Sequence, residues 1–172
     1  MIDPTSIADI DLSPLPGKIY WNSVREWREE FIYFLMVDRF HDDLERAPIQ
    51  TSARSDSTGT PAQLSKFCGG TLRGITTHLN YIKNLGCTAL WLSPIFENNG
   101  APDRDSGNYH GYSIQNYCAI DPRFGTRQDL VDLVDAAHAL DMRVFLDVVI
   151  NHSGDNWSYP GDNPYYYDND QQ

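Results

Sequence analysis

Residues 143–152 read RVFLDVVINH, an apolar run with one carboxylate at its centre and a polar pair at its end. A continuous run of β-branched and aromatic residues predicts a strand that is buried on both faces, as in a parallel sheet. Burial of the Asp147 carboxylate in such a strand is costly unless a partner compensates for it, so we expect Asp147 to be paired. Asn151 and His152 follow at the carboxyl end of the strand, where parallel α/β folds place their ligands and catalytic groups.

The composition is that of a globular domain with an acidic balance of charge. The chain has 172 residues, of which 41% are hydrophobic and 22% charged, and its formal net charge is −11. This length accommodates roughly one domain with a hydrophobic core. Because no basic stripe accompanies the negative charge, we expect no nucleic-acid partner. A neutral substrate, or a cation such as calcium, suits this balance better.

The cysteines and the N-terminus narrow the class of protein further. Cys68, Cys87 and Cys118 are odd in number and lack a CxxC spacing, which supports neither a disulfide framework nor a zinc site. Residues 1–14 lack the basic start and apolar core of a signal peptide, and no apolar stretch approaches the roughly 20 residues of a membrane span. We therefore predict no membrane partner and a cytoplasmic location. A secreted form whose leader has been removed is the alternative.

Strand-like and helix-like segments alternate along the chain. Strands are predicted at 31–37, 88–92 and 143–150, and helices from Leu72 to Leu85 and from Thr126 to Leu140. Thr71 and Thr126 are the expected N-caps, and Gly86 is the expected stop of the first helix. This order predicts an α/β fold with a parallel sheet built from βαβ units. The long connections, 41–66 and 93–125, follow strands, which places the chemistry at one edge of the sheet.

Four segments in consistent order resemble the alpha-amylase family of glycoside hydrolases. DVVINH at 147–152 is similar to the family's first signature region, Asp-Val-Val-x-Asn-His. FIYFLMVDRF at 31–40 resembles the family's first strand, and the run from GGTLRG to IFEN at 69–98 resembles its first helix and second strand. The run from YHGY to VINH at 109–152 resembles the approach to the third strand. Chance is a poor explanation for four segments in register.

The resemblance implies a TIM (β/α)8 barrel of which this chain holds the first three βα units. The chain would be truncated at the start of the inserted domain that follows strand three. It would then consist of an N-terminal arm at 1–30, a partial catalytic barrel at 31–152 and the start of the inserted domain at 153–172. Three strands cannot close a barrel, and the third would be left as an apolar edge. We therefore interpret the chain as the N-terminal part of a larger protein.

The activity that the resemblance implies is cleavage of α-glucosidic bonds in starch-like α-glucans or maltooligosaccharides, with retention of configuration. Retaining glycosidases use two carboxyl groups about 5–5.5 Å apart, one as nucleophile and one as general acid. The family places both on later strands, so we expect the isolated chain to be inactive. An α-glucosidase or glucanotransferase of the same family, and a non-catalytic carbohydrate-binding barrel, are the alternatives.

The resemblance also implies roles for five residues. His110 and His152 would contact sugar hydroxyl groups, since a neutral imidazole both donates and accepts, and Tyr112 would be an aromatic platform for the sugar ring. Asp147 would support the site through an arginine on the next strand rather than react. Asn151 would give a carbonyl oxygen to a structural calcium ion. Each of these residues also has a purely structural interpretation: Asn151, for example, would form a turn, and Tyr112 would be a half-buried loop residue.

Other polar and aromatic groups are weaker candidates. Oxygen-rich side chains follow the first two strands: Asp38, Asp42, Asp43, Asn98, Asn99, Asp103 and Asp105. Some family members bind an extra calcium near such loops, but the Asp103–Asp105 spacing fails the EF-hand pattern, and we interpret the group as solvated loop residues. Aromatic residues near the C-terminus are candidates for lining a glucan groove: Trp157, Tyr159, Tyr165, Tyr166 and Tyr167.

Overall fold

The computed structural model describes residues 8, 11, 13–18, 20–21, 26–43, 67–102 and 107–154. Its strands are β1 (Ile32–Leu35), β2 (Ala89–Leu92), β3 (Phe96–Asn98), β4 (Ile114–Ile120) and β5 (Arg143–Leu146). Its α-helices are α1 (Val37–Phe40), α2 (Leu72–Thr77), α3 (Leu79–Asn84) and α4 (Arg127–Ala139), and a 3-10 turn covers Trp27–Glu29. Within these ranges, none of the helices has the length and apolar character needed to cross a membrane.

The main sheet has three parallel strands, with β2 between β1 and β5. Ile32 of β1 pairs with Ala89 of β2, and Ala89 pairs in turn with Arg143 of β5. Parallel neighbours need a crossover connection, and helices α2 to α4 lie in the connections between these strands. The predicted alternation of strands and helices around a parallel sheet is therefore confirmed.

One face of this sheet packs against the helices and forms the hydrophobic core. Its buried members include Leu35, Leu72, Ile75, Ile82, Leu90, Leu92, Leu133 and Met142. Side chains alternate between the two faces of a strand, so Phe34 and Trp91 lie on the opposite face. They are 47% and 42% exposed, and their rings meet edge to face with centroids 5.4 Å apart. The sheet thus has one covered face and one open apolar face.

The prediction that residues 143–150 form a strand buried on both faces is wrong. The strand ends at Leu146, and beyond it Val148 is exposed and Ile150 is 93% exposed. The cause is the place of β5 at the edge of the sheet, where β2 is its partner and the described helices cover one face. Asp147 consequently lies half-buried after the strand, not buried within it.

The first predicted helix is present as two helices, α2 and α3, which meet at His78. Thr71 is the N-cap, as predicted, and its Oγ1 accepts a hydrogen bond of 3.0 Å from Gly74 N. The break has a local cause: the Thr77 hydroxyl and a ring nitrogen of His78 both lie within hydrogen-bonding distance of the Gly74 carbonyl, where they compete with the helical hydrogen bonds. Gly86 ends α3 with a φ of +89°, a conformation that favours glycine.

Helix α4 begins at the predicted capping box. Thr126 Oγ1 accepts from Asp129 N at 3.2 Å, and Asp129 Oδ2 accepts from Thr126 N at 2.7 Å. Leu133 and Ala137 of its predicted apolar face are buried in the core. The cap and the helical spacing therefore predict this element correctly.

The antiparallel pair β3–β4 is not predicted by the sequence, which indicates only a long loop there. Strand β4 reads IQNYCAI, and its three successive residues Gln115, Asn116 and Tyr117 are exposed, so no alternation of apolar and polar residues marks it as a strand. Its pairing with β3 is irregular, with two register shifts. The connection between β3 and β4 contains Tyr109 to Tyr112, so this pair positions the segment that the sequence singles out.

Candidate functional site

Four of the five predicted site residues meet in one hydrogen-bonded group beyond the end of β5. The Tyr112 hydroxyl donates to Asp147 Oδ2 at 2.9 Å. The Tyr112 backbone N–H donates to His110 Nδ1 at 2.9 Å, and the two rings stack with centroids 5.9 Å apart. His152 Nε2 donates to the backbone carbonyl of Tyr112 at 3.2 Å. Tyr112 therefore contacts the other three residues, and we call this set the Tyr112 cluster.

Gly111 allows the loop to bring Tyr112 to this position. Its φ is +87°, and a Cβ added here would lie 2.0 Å from the backbone oxygen of Pro94. Its N–H donates to Asn108 O at 3.3 Å. Only glycine fits this close approach of the loop to the residues that follow β2.

The environment of Tyr112 keeps its phenol protonated. Burial first, and then the hydrogen bond to Asp147 and the charge of that carboxylate, raise the pKa of Tyr112 to about 12. The hydroxyl proton is donated to Asp147, which leaves the lone pairs of the phenolic oxygen to accept a hydrogen bond from a ligand.

The two imidazoles of the cluster present complementary groups. Because His110 Nδ1 accepts from a backbone N–H, the neutral ring carries its proton on Nε2 and donates there. Because His152 Nε2 donates to a carbonyl, the neutral ring has an accepting Nδ1, which lies 3.5 Å from Asn151 Nδ2. Burial lowers the pKa of His110, which favours its neutral form at pH 7. A donor and an acceptor thus flank Tyr112, an arrangement that a hydroxyl-rich ligand can satisfy.

Among the described residues the partner of Asp147 is Tyr112, and the arginine partner that the resemblance implies stays a prediction. Asn151 is exposed beside His152. Calcium takes about six to eight oxygen ligands, and the described residues contain no group of three or more His, Cys, Asp or Glu side chains that could hold a metal ion. Asn151 offers one amide oxygen to such an ion. The calcium ligand role of Asn151 stays a prediction.

Asn98 is fully buried, at 0% exposure, and contacts the residue that follows Tyr112. The expectation that Asn98 is a solvated loop residue is therefore wrong. Its Oδ1 accepts from the backbone N–H of Ser113 at 2.7 Å, and its Nδ2 donates to Phe96 O at 2.7 Å. Its own N–H donates to Asp121 Oδ2 at 3.0 Å. Asn98 therefore ties β3 to the residue next to Tyr112. A polar residue in a polar stretch carries no sequence signal of such burial.

A buried ion pair continues this network. Arg123 Nη2 lies 2.6 Å from Asp121 Oδ2, and Arg123 Nε donates to Asp121 Oδ1 at 2.8 Å. Both side chains are almost fully buried, and the guanidinium also lies 4.2 Å from the centre of the Phe67 ring. The pair closes the turn before α4 and holds the carboxylate that receives the Asn98 N–H.

Asp38 is also not the solvated loop acid that we expected. It is 1% exposed, accepts hydrogen bonds from the N–H groups of Cys68 and Gly69, and lies 3.2 Å from Arg39 Nε. It therefore holds the residues before α2 against the end of β1. Several other candidates lie outside the described residues: Asp103, Asp105, Trp157, Tyr159, Tyr165, Tyr166 and Tyr167.

Comparisons with known proteins agree on one family. The model of the alpha amylase catalytic domain matches residues 34–171. An alpha-amylase from Streptomyces lividans is 39% identical over 164 residues, which are 91% of this chain and 18% of that protein. A cyclomaltodextrin glucanotransferase from Klebsiella oxytoca is 37% identical over 134 residues, 76% of this chain and 20% of that protein.

A solved structure shows the same similarity in three dimensions. The crystal structure of the alpha-amylase from Geobacillus thermoleovorans, complexed with acarbose, superposes with a TM-score of 0.60 at 39% identity. The match covers 86% of this chain and 27% of that one. The chain thus spans between 18% and 27% of the length of these three proteins.

Proposed function

Because this chain belongs to the alpha-amylase family, whose catalytic-domain model matches residues 34–171, we propose that it supplies the glucan-contacting N-terminal part of an α-amylase-type glycoside hydrolase. The proposed substrates are starch-like α-glucans and maltooligosaccharides, and the proposed reaction is hydrolysis of α-glucosidic bonds with retention. The observation that carries the proposal is the Tyr112 cluster, which gathers an aromatic ring, a donor and an acceptor beyond the carboxyl end of a parallel strand.

The proposed architecture is the first three βα units of a TIM (β/α)8 barrel, preceded by an arm at 1–30 and followed by the start of an inserted domain at 153–172. The barrel part is 31–152. The open apolar face of the sheet supports this assignment, because the inner face of such a barrel is filled by layers of side chains from all eight strands. Phe34 and Trp91 are the side chains that would enter such layers.

Each member of the Tyr112 cluster has a distinct role in the proposal. A sugar ring packs its C–H groups against the face of Tyr112 that the stacked His110 leaves free. His110 Nε2–H donates to one hydroxyl group, and His152 Nδ1 accepts from another in place of its long 3.5 Å contact with Asn151 Nδ2. Asp147 holds the phenol in place and does not react with the substrate.

The groups that break the bond are proposed to lie on later strands. A retaining glycosidase needs two carboxyl groups about 5–5.5 Å apart, with the first attacking the anomeric carbon while the second protonates the leaving oxygen. We assign neither role to a residue of this chain. The 172 residues alone are accordingly expected not to hydrolyse a maltooligosaccharide.

Calcium and location are secondary proposals. The Asn151 carbonyl oxygen would be one ligand of a structural calcium ion, with the remaining oxygens coming from residues beyond those described. A cytoplasmic location is proposed on the composition of the N-terminal residues alone, with a processed secreted form as the alternative.

A glucanotransferase is the second candidate function. The similarity to the glucanotransferase of Klebsiella oxytoca supports it, because the identity of 37% is close to that of the amylases. The two functions share the binding and cleavage of the glucan and differ in the acceptor, which is water in one case and a sugar hydroxyl in the other. An α-glucosidase and a non-catalytic carbohydrate-binding barrel are further alternatives.

The experiment that tests the proposal is product analysis with the full-length protein and maltoheptaose. Shorter maltooligosaccharides released initially as the α-anomer, seen by NMR, are the expected result. Chain-lengthened or cyclic products would favour the glucanotransferase, and binding without turnover would favour the non-catalytic barrel. A full-length protein that neither binds nor cleaves maltoheptaose would contradict the proposal. Turnover by the 172 residues alone would contradict the placement of the reacting carboxylates on later strands.

A further inference from the structure

The segment that carries His152 has few attachments to the rest of the described structure. No helix or strand is present between Asp147 and Gly154, and Ile150, Asn151 and His152 are exposed. A segment of this kind opens readily unless specific contacts hold it, because little apolar surface is buried there. The contacts that it does make therefore determine where the His152 imidazole lies.

Tyr117 makes two of these contacts through one hydroxyl group. Its oxygen lies 2.8 Å from the Val149 carbonyl and 3.0 Å from the His152 carbonyl, so its single proton is shared between the two. Tyr117 belongs to β4, and its ring lies 6.1 Å from that of Phe96 on β3. The strand pair thus presents the hydroxyl at a fixed place, and the turn from Val149 to His152 closes over it.

Two other hydrogen bonds hold the same segment, at His152 and at Gly154. His152 Nε2 donates to Tyr112 O at 3.2 Å, and the Gly154 N–H donates to Ile114 O at 2.7 Å. Tyr112, Ile114 and Tyr117 all lie on the same stretch of chain. The segment after β5 is therefore held against β4 and the residues just before it, with the Tyr117 hydroxyl contacting the backbone of His152 itself.

We infer that Tyr117 is a positioning residue for His152: its hydroxyl fixes the turn from Val149 to His152 so that the imidazole faces the sugar site. This inference rests on the proposed function, because it assigns Tyr117 to the same site. The role is separable from overall stability. Tyr117 is partly exposed, so replacement by Phe keeps the contact with Phe96 and leaves two carbonyls that water can reach.

The first test needs no ligand and compares Tyr117→Phe with Tyr81→Phe. Tyr81 is an exposed tyrosine on α3 for which the described structure shows no hydrogen bond of the hydroxyl, so it is a matched control. Amide hydrogen exchange at Gly154 is expected to become about three- to tenfold faster in Tyr117→Phe, the effect of one ordinary hydrogen bond. Exchange at Leu90 in the core is expected to stay unchanged in both variants. Unchanged exchange at Gly154 in Tyr117→Phe overturns the inference.

The second test is a double-mutant cycle on maltooligosaccharide hydrolysis by the full-length protein. Tyr117→Phe is expected to lower kcat/KM by about three- to tenfold in the wild-type background and to have no effect in a His152→Ala background, because its action passes through His152. An equal loss in both backgrounds overturns the inference. If the wild-type protein neither binds nor cleaves glucans, the proposed function fails, and the exchange rate at Gly154 alone decides the role of Tyr117.

Discussion

Tyr112 and Asp147 lie 35 residues apart in the chain and meet in a hydrogen bond of 2.9 Å between the phenol and the carboxylate. This contact joins the loop between β3 and β4 to the end of β5. It also accounts for the half-buried carboxylate in an otherwise apolar run, since the phenol is its described partner. A histidine on each side of Tyr112 in the sequence completes the group, through the backbone of Tyr112.

The Tyr112–Asp147 contact predicts how the phenol titrates. Asp147→Asn removes the negative charge that helps to raise the pKa of Tyr112 to about 12, but it leaves the burial that is the largest cause. The pKa of Tyr112 should therefore fall towards the ordinary value of about 10 without reaching it. Ultraviolet difference titration against Tyr112→Phe measures this pKa. The same pKa in Asp147→Asn and wild type would show that the carboxylate does not act on the phenol.

Gly111 should not tolerate a side chain. Gly111→Ala places a methyl group 2.0 Å from Pro94 O at a φ of +87°, so the backbone has to move. Gly17→Ala is the matched control, since Gly17 has a φ of +75° with nothing within 4 Å of the added Cβ. The control should lose about 1–2 kcal/mol of unfolding free energy from backbone strain alone, and Gly111→Ala more than that. Urea unfolding measures both values, and equal losses would refute the steric argument.

Removing only one partner of the buried pair Asp121–Arg123 should cost more stability than removing both charges. Arg123→Met leaves the Asp121 carboxylate buried without its cation and should lower the free energy of unfolding by about 3–5 kcal/mol. The double variant Asp121→Asn with Arg123→Met removes both charges and should lose clearly less. Chemical denaturation of the three proteins provides the comparison. A double variant that is as unstable as the single one would mean that the charge balance is not the cause.

Acid should destabilise the fold through two half-buried histidines, His110 and His138. Burial lowers the pKa of His110 below 6.5, so between that lowered value and 6.5 the unfolded chain binds more protons than the folded one. The free energy of unfolding should therefore fall as the pH drops through this window. Above pH 6.5 the contribution of the neutral histidine to stability should be complete. Burial also lowers the pKa of His138, which adds to the effect. His110→Asn keeps an acceptor for the Tyr112 N–H and should flatten the dependence, measured by urea unfolding at several pH values; an unflattened curve would contradict the assignment to His110.

The sequence predicts the elements whose signals are local. Thr71 and Thr126 begin helices because a hydroxyl three residues before a free backbone N–H satisfies it whatever the tertiary context. Apolar residues at helical spacing identify α4, and the order of strands and helices identifies the parallel sheet. The resemblance, in turn, selects His110, Tyr112, Asp147 and His152, which the structure brings together.

The remaining features depend on contacts between distant residues, which a local pattern does not contain. Asn98 is buried because Ser113 and Asp121 come to it from β4 and the turn that follows. Strand β4 exists because β3 pairs with it, although its own residues do not alternate in polarity. The apolar run at 143–150 predicts burial, but β5 lies at the edge of the described sheet and ends at Leu146.

The most direct test of the proposed site is the activity of His152→Ala in the full-length protein on a chromogenic maltooligosaccharide. If the His152 imidazole contacts the sugar as the geometry of the Tyr112 cluster indicates, kcat/KM should fall by about 10- to 1000-fold, or about 1.4–4 kcal/mol of transition-state binding. Tyr81→Phe should retain the wild-type value. An unchanged kcat/KM in His152→Ala would contradict the account, because the residue at the end of the most informative stretch of sequence would then lie outside the substrate site.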